Sequence, residues 1–264
     1  MKLHVLTENT TENPSLGTEH GLSLYIEACG HKILFDAGQS GLFAENADKL
    51  GIDLTAVDLA ILSHGHYDHG GSLEYFLQMK DHALLYMNEH AFGSYHNGSD
   101  KYIGLNPPLA SSDRLMMVSD YLKLDDGLEL FSCNTRTRRW PTRPFGLQKL
   151  EKGHLVPDDF LHEQYLLIHE QGKRILISGC SHKGILNIVD WFQPNVLVGG
   201  FHFMKLDLLS DVDRAFLEDA AEILMSYDTA YYTCHCTGEA QYAFLKEKMG
   251  DRLHYLATGS QLVV

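Results

Sequence analysis

The feature that most constrains this chain is a cluster of four potential metal ligands within six positions. The cluster reads HGHYDH over residues 64–69 and directly follows the apolar run 59–62. Zinc and similar divalent ions prefer imidazole and carboxylate ligands, and the glycines at 65, 70 and 71 let the backbone crowd around an ion. A polar loop that carries three histidines by chance is the alternative, but it gives no cause for this spacing. The pattern predicts a metal site at the end of a strand.

Composition narrows the class of protein. With 264 residues, 44% of them hydrophobic, the chain can bury a substantial core and does not need disulfide bonds to fold. Its formal net charge of -14 repels phosphate backbones but allows a small anionic substrate to be held locally. The five cysteines lack the spacing of a disulfide framework, and no apolar run is long enough for a signal peptide or a membrane span. We expect a soluble cytoplasmic protein with a small-molecule substrate and no nucleic-acid or membrane partner.

Hydrophobic periodicity predicts strands and helices in mixed order. Strands are expected near 3–6, 22–27, 32–36, 57–62 and 83–87, and helices near 42–50 and 72–79. The last hundred residues then repeat one pattern, in which a strand leads to a turn with a histidine and a helix follows. The turns carry His182, His202 and His235, each at a strand end, where open sheets commonly place their ligands.

Two stretches are less regular, and we expect them to be irregular insertions in one domain that covers residues 1–264. The first, near 92–115, is rich in Gly, Asn, Ser and Pro. The second, near 134–159, is rich in arginine. Because guanidinium binds phosphate bidentately, Arg138 and Arg139 are candidates for a substrate phosphate, and Trp140 could stack on a heterocycle. The alternative is a solvated loop. The first hypothesis predicts that alanine at both arginines raises KM for a phosphate-bearing substrate.

The histidine cluster, with the sequence FDAG at 35–38 before it, resembles the metallo-β-lactamase-fold superfamily. The sequences GCSH at 179–182, GGFH at 199–202 and HCTG at 235–238 are similar to a narrower branch. That branch is named for 7,8-dihydropterin-6-methyl-4-(β-D-ribofuranosyl)-aminobenzene-5'-phosphate synthase. The resemblance covers the whole chain and implies an α/β fold, a four-layer αββα sandwich with mixed sheets and a dinuclear metal site at one edge.

The resemblance also implies a set of ligands for two divalent ions, zinc first and manganese or iron as alternatives. One ion is assigned to His64, His66 and His182. The other is assigned to Asp68, His69 and His235.

The chain departs from the superfamily at the strand that in many members ends in Gly-Asp, whose aspartate bridges the metals. Here the strand ends in Gly179-Cys180, and a histidine follows two residues later. Cys180 is therefore either a thiolate ligand or a small buried apolar residue. Asp36 either orients a ligating histidine or caps the turn at Gly38.

Further predictions concern residues near the ligands. We place His202 near the substrate as a catalytic residue, with a structural histidine as the alternative. Cys234 and Cys236 are expected to be structural, because alternation along a strand turns both away from His235. The histidines without a comparable context are expected to be ordinary; they are His20, His31, His90, His96, His154 and His162.

These features together predict a dinuclear metallohydrolase. Asp68 would orient the attacking water or take its proton, and the substrate would be a small phosphorylated or ester-bearing molecule, pterin-related by the branch resemblance. One alternative is a di-iron redox enzyme, which is disfavoured because His66 stands where a carboxylate would suit di-iron better. A non-catalytic ligand sensor is another alternative, and the acidic charge disfavours a nuclease.

Overall fold

The computed structural model describes residues 1–79 and 83–264. Its strands are β1 (Lys2–Thr7), β2 (Ser23–Ala28), β3 (His31–Phe35), β4 (Leu59–Ile61), β5 (Leu84–Asn88), β6 (Tyr95–Asn97), β7 (Lys101–Tyr102), β8 (Leu115–Val118), β9 (Tyr121–Asp125), β10 (Leu128–Phe131), β11 (Leu147–Glu151), β12 (His154–Pro157), β13 (Tyr165–Glu170), β14 (Lys173–Ser178), β15 (Val196–Val198), β16 (Ala230–Thr233), β17 (Leu253–Tyr255) and β18 (Gln261–Val263). Its helices are α1 (Leu42–Lys49), α2 (Tyr67–Gly70), α3 (Leu73–Met79), α4 (Ile185–Phe192), α5 (Asp211–Met225) and α6 (Glu239–Met249). None of these helices has both the length and the apolar character that a membrane crossing requires.

The strands form two large mixed sheets. The first sheet has the order β18-β1-β2-β3-β4-β5-β8, antiparallel as far as β3 and parallel from β3 to β8. The second has the order β17-β16-β15-β14-β13-β10-β9, parallel as far as β14 and antiparallel beyond it. Each sheet therefore has a parallel half, whose connections run through helices on its outer face except between β5 and β8, where the chain passes through β6 and β7.

Alternating residues of the central strands face different layers. In β14, Ile175 and Ile177 lie in the core between the two sheets, whereas Leu176 packs in the cluster that contains α4, α5 and α6. In β3, Phe35 lies in the same central core and Leu34 packs with α1 and α3. The sheets thus face each other, and helices cover both outer faces. This is the αββα sandwich that the resemblance implies, and the predicted fold class is confirmed.

The two stretches expected to be irregular contain short strands. β6 and β7 come from the first stretch and β11 and β12 from the second, and β6 pairs antiparallel with β11. The result is a four-stranded small sheet of order β12-β11-β6-β7. The expectation of irregular structure is wrong for these strands, because β6 has 3 residues and β7 has 2, too few to show alternation.

The parallel halves of the two large sheets bring their loops to one edge of the sandwich. The loops after β4, β14, β15 and β16 meet there, because the carboxyl ends of parallel strands share an edge. His64 and His182 from opposite sheets are in contact, and so are His69 and His235. The candidate site is built at this edge.

Candidate metal centre

Six predicted ligands converge at this edge, and all six are buried. The loop after β4 and helix α2 supply four of them, and the loops after β14 and β16 supply one each. Gly65 lets the loop after β4 pack closely against the backbone of Ala91. A Cβ at position 65 would lie 2.1 Å from the Ala91 carbonyl oxygen. The six candidate ligands are His64, His66, Asp68, His69, His182 and His235.

Three histidines form a first donor group. The Nε2 atoms of His64 and His182 lie 3.2 Å apart, and the His66 ring centroid is 4.5 Å from that of His64 and 5.0 Å from that of His182. The Nε2 of His66 and the Nδ1 of His182 have no hydrogen-bond partner. Burial lowers the pKa of His66 to about 3 and holds those of His64 and His182 well below their usual value. Neutral imidazole is the ligating form, so this group fits a divalent ion.

A second group surrounds the carboxylate of Asp68. Its Oδ2 lies 3.5 Å from Nε2 of His235, 3.4 Å from Nε2 of His20 and 3.9 Å from Nε2 of His69. Burial raises the pKa of Asp68, but the charge of His69 and the nearby imidazoles of His20 and His235 outweigh burial and hold it well below its usual range. The Nε2 of His235 has no hydrogen-bond partner. An ionised carboxylate beside such imidazoles is a second donor set for a divalent ion.

His69 and Cys180 lie between the two groups. The Sγ of Cys180 is 3.1 Å from the His69 Nε2, and both lie within 4.8 Å of a ring nitrogen of His64. Burial lowers the pKa of His69, but the carboxylates of Asp36 and Asp68 outweigh burial and raise it to about 9. Surroundings that favour a proton on this imidazole also favour a cation beside it. The Cys180 sulfur thus lies inside the ligand cluster.

Asp36 orients two of the candidate ligands. Its Oδ2 accepts hydrogen bonds from the His69 Nδ1 at 2.6 Å and from the Ser63 Oγ at 2.7 Å. The Ser63 Oγ in turn lies 2.8 Å from the His64 Nδ1. Because Ser63 holds the Nδ1 of His64 and Asp36 holds the Nδ1 of His69, the opposite ring atoms, the two Nε2, face the other candidate ligands. Of the two alternatives for Asp36, the structure shows this arrangement and not a side-chain cap at Gly38.

His235 is held by the segment that follows β1. Its Nδ1 lies 2.8 Å from the Oδ1 of Asn9, and its backbone N–H donates to the Oε2 of Glu8 at 3.0 Å. β16 ends at Thr233, and His235, with a φ of 49°, begins the short 3-10 helix His235–Thr237. A non-glycine residue rarely adopts this left-handed conformation, and such residues concentrate at functional sites.

The turn at His235 also corrects the prediction for the two nearby cysteines. Because the extended strand has ended, alternation no longer decides where the side chain of Cys236 points. Cys234 lies in the core between the sheets, as a structural cysteine would. Cys236 instead lines the same cavity as His235, and its Sγ donates to the Cys180 carbonyl oxygen at 3.4 Å. The expectation that both sulfurs turn away from the histidine is wrong for Cys236.

A cavity of about 120 Å³ opens above the candidate ligands. His202 lines it, with its ring centroid 4.2 Å from that of His182. Both ring nitrogens of His202 are buried without a hydrogen-bond partner, and its φ is 57°. The structure therefore brings His202 to the cavity, where a bound molecule would meet it.

Two histidines expected to be ordinary also lie at the site. His20 lines the cavity beside Asp68. His162 is fully buried; its Nδ1 accepts from the Gly65 N–H at 2.9 Å, and its Nε2 lies 3.1 Å from the Asp158 Oδ2. Neither residue follows a strand-end glycine turn, so the sequence carried no local signal for them.

The arginines proposed for substrate phosphate do not line this cavity. The Nη2 of Arg138 donates to the Asp159 carbonyl oxygen at 2.6 Å, and the side chain of Arg139 is 71% exposed near Asp190. Trp140 lines a separate, largely apolar cavity of about 390 Å³ beside α4 and α5. The placement of both arginines therefore favours the alternative of a solvated loop.

Comparison with known proteins bears on this arrangement. The family model described as metallo-beta-lactamase superfamily matches residues 16–226. An uncharacterized protein of Methanocaldococcus jannaschii is 28% identical over 245 residues, which cover 89% of this chain and 90% of that protein. The 7,8-dihydropterin-6-methyl-4-(β-D-ribofuranosyl)-aminobenzene-5'-phosphate synthase of the same organism is 27% identical over 288 residues, covering 96% of this chain and 94% of the synthase.

A solved structure shows the same likeness. The crystal structure of a metal-dependent hydrolase of the beta-lactamase superfamily has a TM-score of 0.84 and 27% sequence identity, covering 100% of this chain and 99% of that chain. The resemblance read from the motifs, both to the superfamily and to the synthase, is confirmed as a similarity over nearly the whole chain.

Proposed function

The chain belongs to the metallo-β-lactamase superfamily, and we propose that it is a metal-dependent hydrolase with a dinuclear site. The observation that carries this proposal is the convergence of buried, unpartnered imidazole nitrogens with the ionised Asp68. His64, His66 and His182 would hold one ion. Asp68, His69 and His235 would hold the other. Imidazole and carboxylate suit zinc first, and the same donors accept manganese or iron.

The chemistry then divides between the metals and the side chains. Two ions held by these residues would supply Lewis-acid chemistry: they would polarise an oxygen of the substrate and lower the pKa of a water molecule toward neutrality. Asp68 orients this water and accepts its proton. His202, whose ring nitrogens have no protein partner, donates a hydrogen bond to the leaving oxygen of the substrate.

We propose a small phosphorylated or ester-bearing molecule as the substrate. A cavity of about 120 Å³ accommodates only part of a small molecule. The similarity to the dihydropterin synthase supports a pterin-related substrate. The same scaffold hosts many chemistries, so the residues that line the cavity, and not the fold, decide the substrate class.

Metal content and metal removal test the proposal. Protein purified without chelator is expected to contain about two zinc ions per chain, by analogy with two-metal sites. Chelation should abolish hydrolysis of p-nitrophenyl acetate and bis(p-nitrophenyl) phosphate, and added Zn²⁺ should restore it. If metal-loaded protein hydrolyses neither compound, the hydrolase proposal is wrong. Two irons with an oxygen-dependent spectrum would favour the redox alternative.

Asn9→Ala tests the division of the ligands into two groups. The variant removes the acceptor at the His235 Nδ1, so we expect about tenfold weaker binding of one ion and unchanged binding of the other. Competition with a chromogenic chelator measures both affinities. Asn13→Ala is the matched control, because Asn13 is exposed and caps a turn away from the ligands. Equal weakening of both ions would contradict the assignment.

A further inference from the structure

Two lysines line the cavity and have no carboxylate partner among the described residues. Lys101 belongs to β7 of the small sheet, and Lys205 follows His202 by three residues. The Nζ of Lys101 donates to the Tyr67 Oη at 3.1 Å, and the Nζ of Lys205 donates to the Phe145 carbonyl oxygen at 2.8 Å. An ammonium group has three N–H donors. Two donors on each lysine are therefore free for a ligand.

The charge of the cavity is opposite to that of the chain. The sequence has 35 acidic and 21 basic residues, and three lysines elsewhere, Lys123, Lys149 and Lys248, pair with carboxylates. Among the described residues that line the cavity, the single carboxylate is that of Asp68, and imidazoles surround it. Two unpaired ammonium groups in such a place attract an anion against the overall negative field.

The two lysines stand apart from the candidate ligands. The ligands are buried at the floor of the cavity, whereas both lysines are exposed at its mouth. Neither ammonium group hydrogen-bonds to a candidate ligand; their bonds go to Tyr67 and Phe145. Partial burial lowers the pKa of Lys205, so a bound anion would stabilise its charged form.

We propose that Lys101 and Lys205 form an oxyanion subsite at the mouth of the cavity. This subsite selects substrates that carry a phosphate or carboxylate group in addition to the bond cleaved at the metal centre, and it rests on the proposed function. The substrate spans the cavity, with the scissile bond at the floor and the oxyanion at the mouth. A phosphate dianion gains more than a carboxylate from two ammonium groups.

Paired esters test this selection. The neutral p-nitrophenyl hexanoate is compared with mono-p-nitrophenyl adipate and with the p-nitrophenyl ester of 6-phosphooxyhexanoic acid, which carry a terminal carboxylate and a terminal phosphate. Lys101→Met and Lys205→Met should each lower kcat/KM for the anionic esters about tenfold, more for the phosphate, and leave the hexanoate unchanged. Lys173→Met is the matched control, since Lys173 is an exposed lysine of β14 outside the cavity.

Direct binding separates this proposal from the proposed function. Calorimetry with inorganic phosphate on the metal-loaded protein should show binding that is about tenfold weaker in the double variant and unchanged in Lys173→Met. Unchanged ester ratios and unchanged phosphate binding in the double variant overturn the subsite, while hydrolysis of the hexanoate keeps the hydrolase. Lysine-dependent phosphate binding without hydrolysis of any ester supports the subsite and overturns the hydrolase.

Discussion

His66→Ala is expected to lower kcat/KM for p-nitrophenyl hexanoate by about three orders of magnitude. A metal ion acting as a Lewis acid contributes several kcal/mol to the transition state, and each 1.36 kcal/mol corresponds to about tenfold in rate. The His66 Nε2 is buried without a protein partner, so the variant removes a ligand and breaks no hydrogen bond of that atom. We therefore expect loss of one ion per chain together with a cooperative unfolding transition of the metal-free protein close to that of the wild type.

The control for this prediction is His154→Ala. His154 is an exposed histidine at the start of β12 and does not line the cavity, so this variant should keep its metal and its activity. Metal analysis and steady-state kinetics on both variants decide the matter. Full activity of His66→Ala with full metal content would show that this imidazole is not a ligand.

Asp36→Ala is expected to weaken the binding of both ions by about 10–100-fold, because Asp36 holds His69 directly and His64 through Ser63. The variant also leaves buried donors without an acceptor. We expect the free energy of unfolding to fall by about 3–5 kcal/mol, the range for removing one partner of a buried ion pair. Chelator competition and denaturant unfolding measure the two effects.

Two comparison variants make this prediction specific. Asp36→Asn keeps a residue type that tolerates the φ of 58° but removes the charge, so metal binding should weaken with a smaller loss of stability. Asp58→Ala removes a carboxylate that lies 2.9 Å from the Nδ1 of His31, in an exposed pair that contacts no candidate ligand. It should leave the affinities for both ions unchanged. Weakening of only one ion by Asp36→Ala would contradict the role of Asp36 in orienting two ligands.

The parts of the fold that sequence analysis predicted depend on local patterns. Alternation in β3 and β14 assigns each residue to a layer, and the six candidate ligands stand beside glycines or within one short motif. Such features act over a few residues, so neighbouring residue types are sufficient to identify them. The layered sandwich and the edge at which the ligands meet came from the family resemblance that these motifs carry.

The parts that were missed depend on contacts between distant segments. His162 reaches Gly65 across 97 positions, and Asn9 reaches His235 across 226. Cys236 could not be placed because β16 ends at Thr233 and the chain turns through the left-handed His235 into a 3-10 helix. Arg138 resembled a phosphate ligand in sequence, but in the fold it does not line the cavity and its Nη2 donates to the Asp159 carbonyl oxygen. None of these outcomes has a signature in adjacent residues.

The small sheet bears on how substrate range changes among proteins of this fold. Its strands come from two segments far apart in the chain, and each segment forms a hairpin that joins the other through the pairing of β6 with β11. Replacing one segment by that of a relative would disturb this shared edge, so the hydrogen bonds between β6 and β11 constrain which segments can be combined. The loops that carry the candidate ligands belong to other strands and stay intact in such an exchange. The part of the cavity wall formed by Asn97, Lys101 and Leu147 of the small sheet can therefore change in sequence while the candidate ligands are kept.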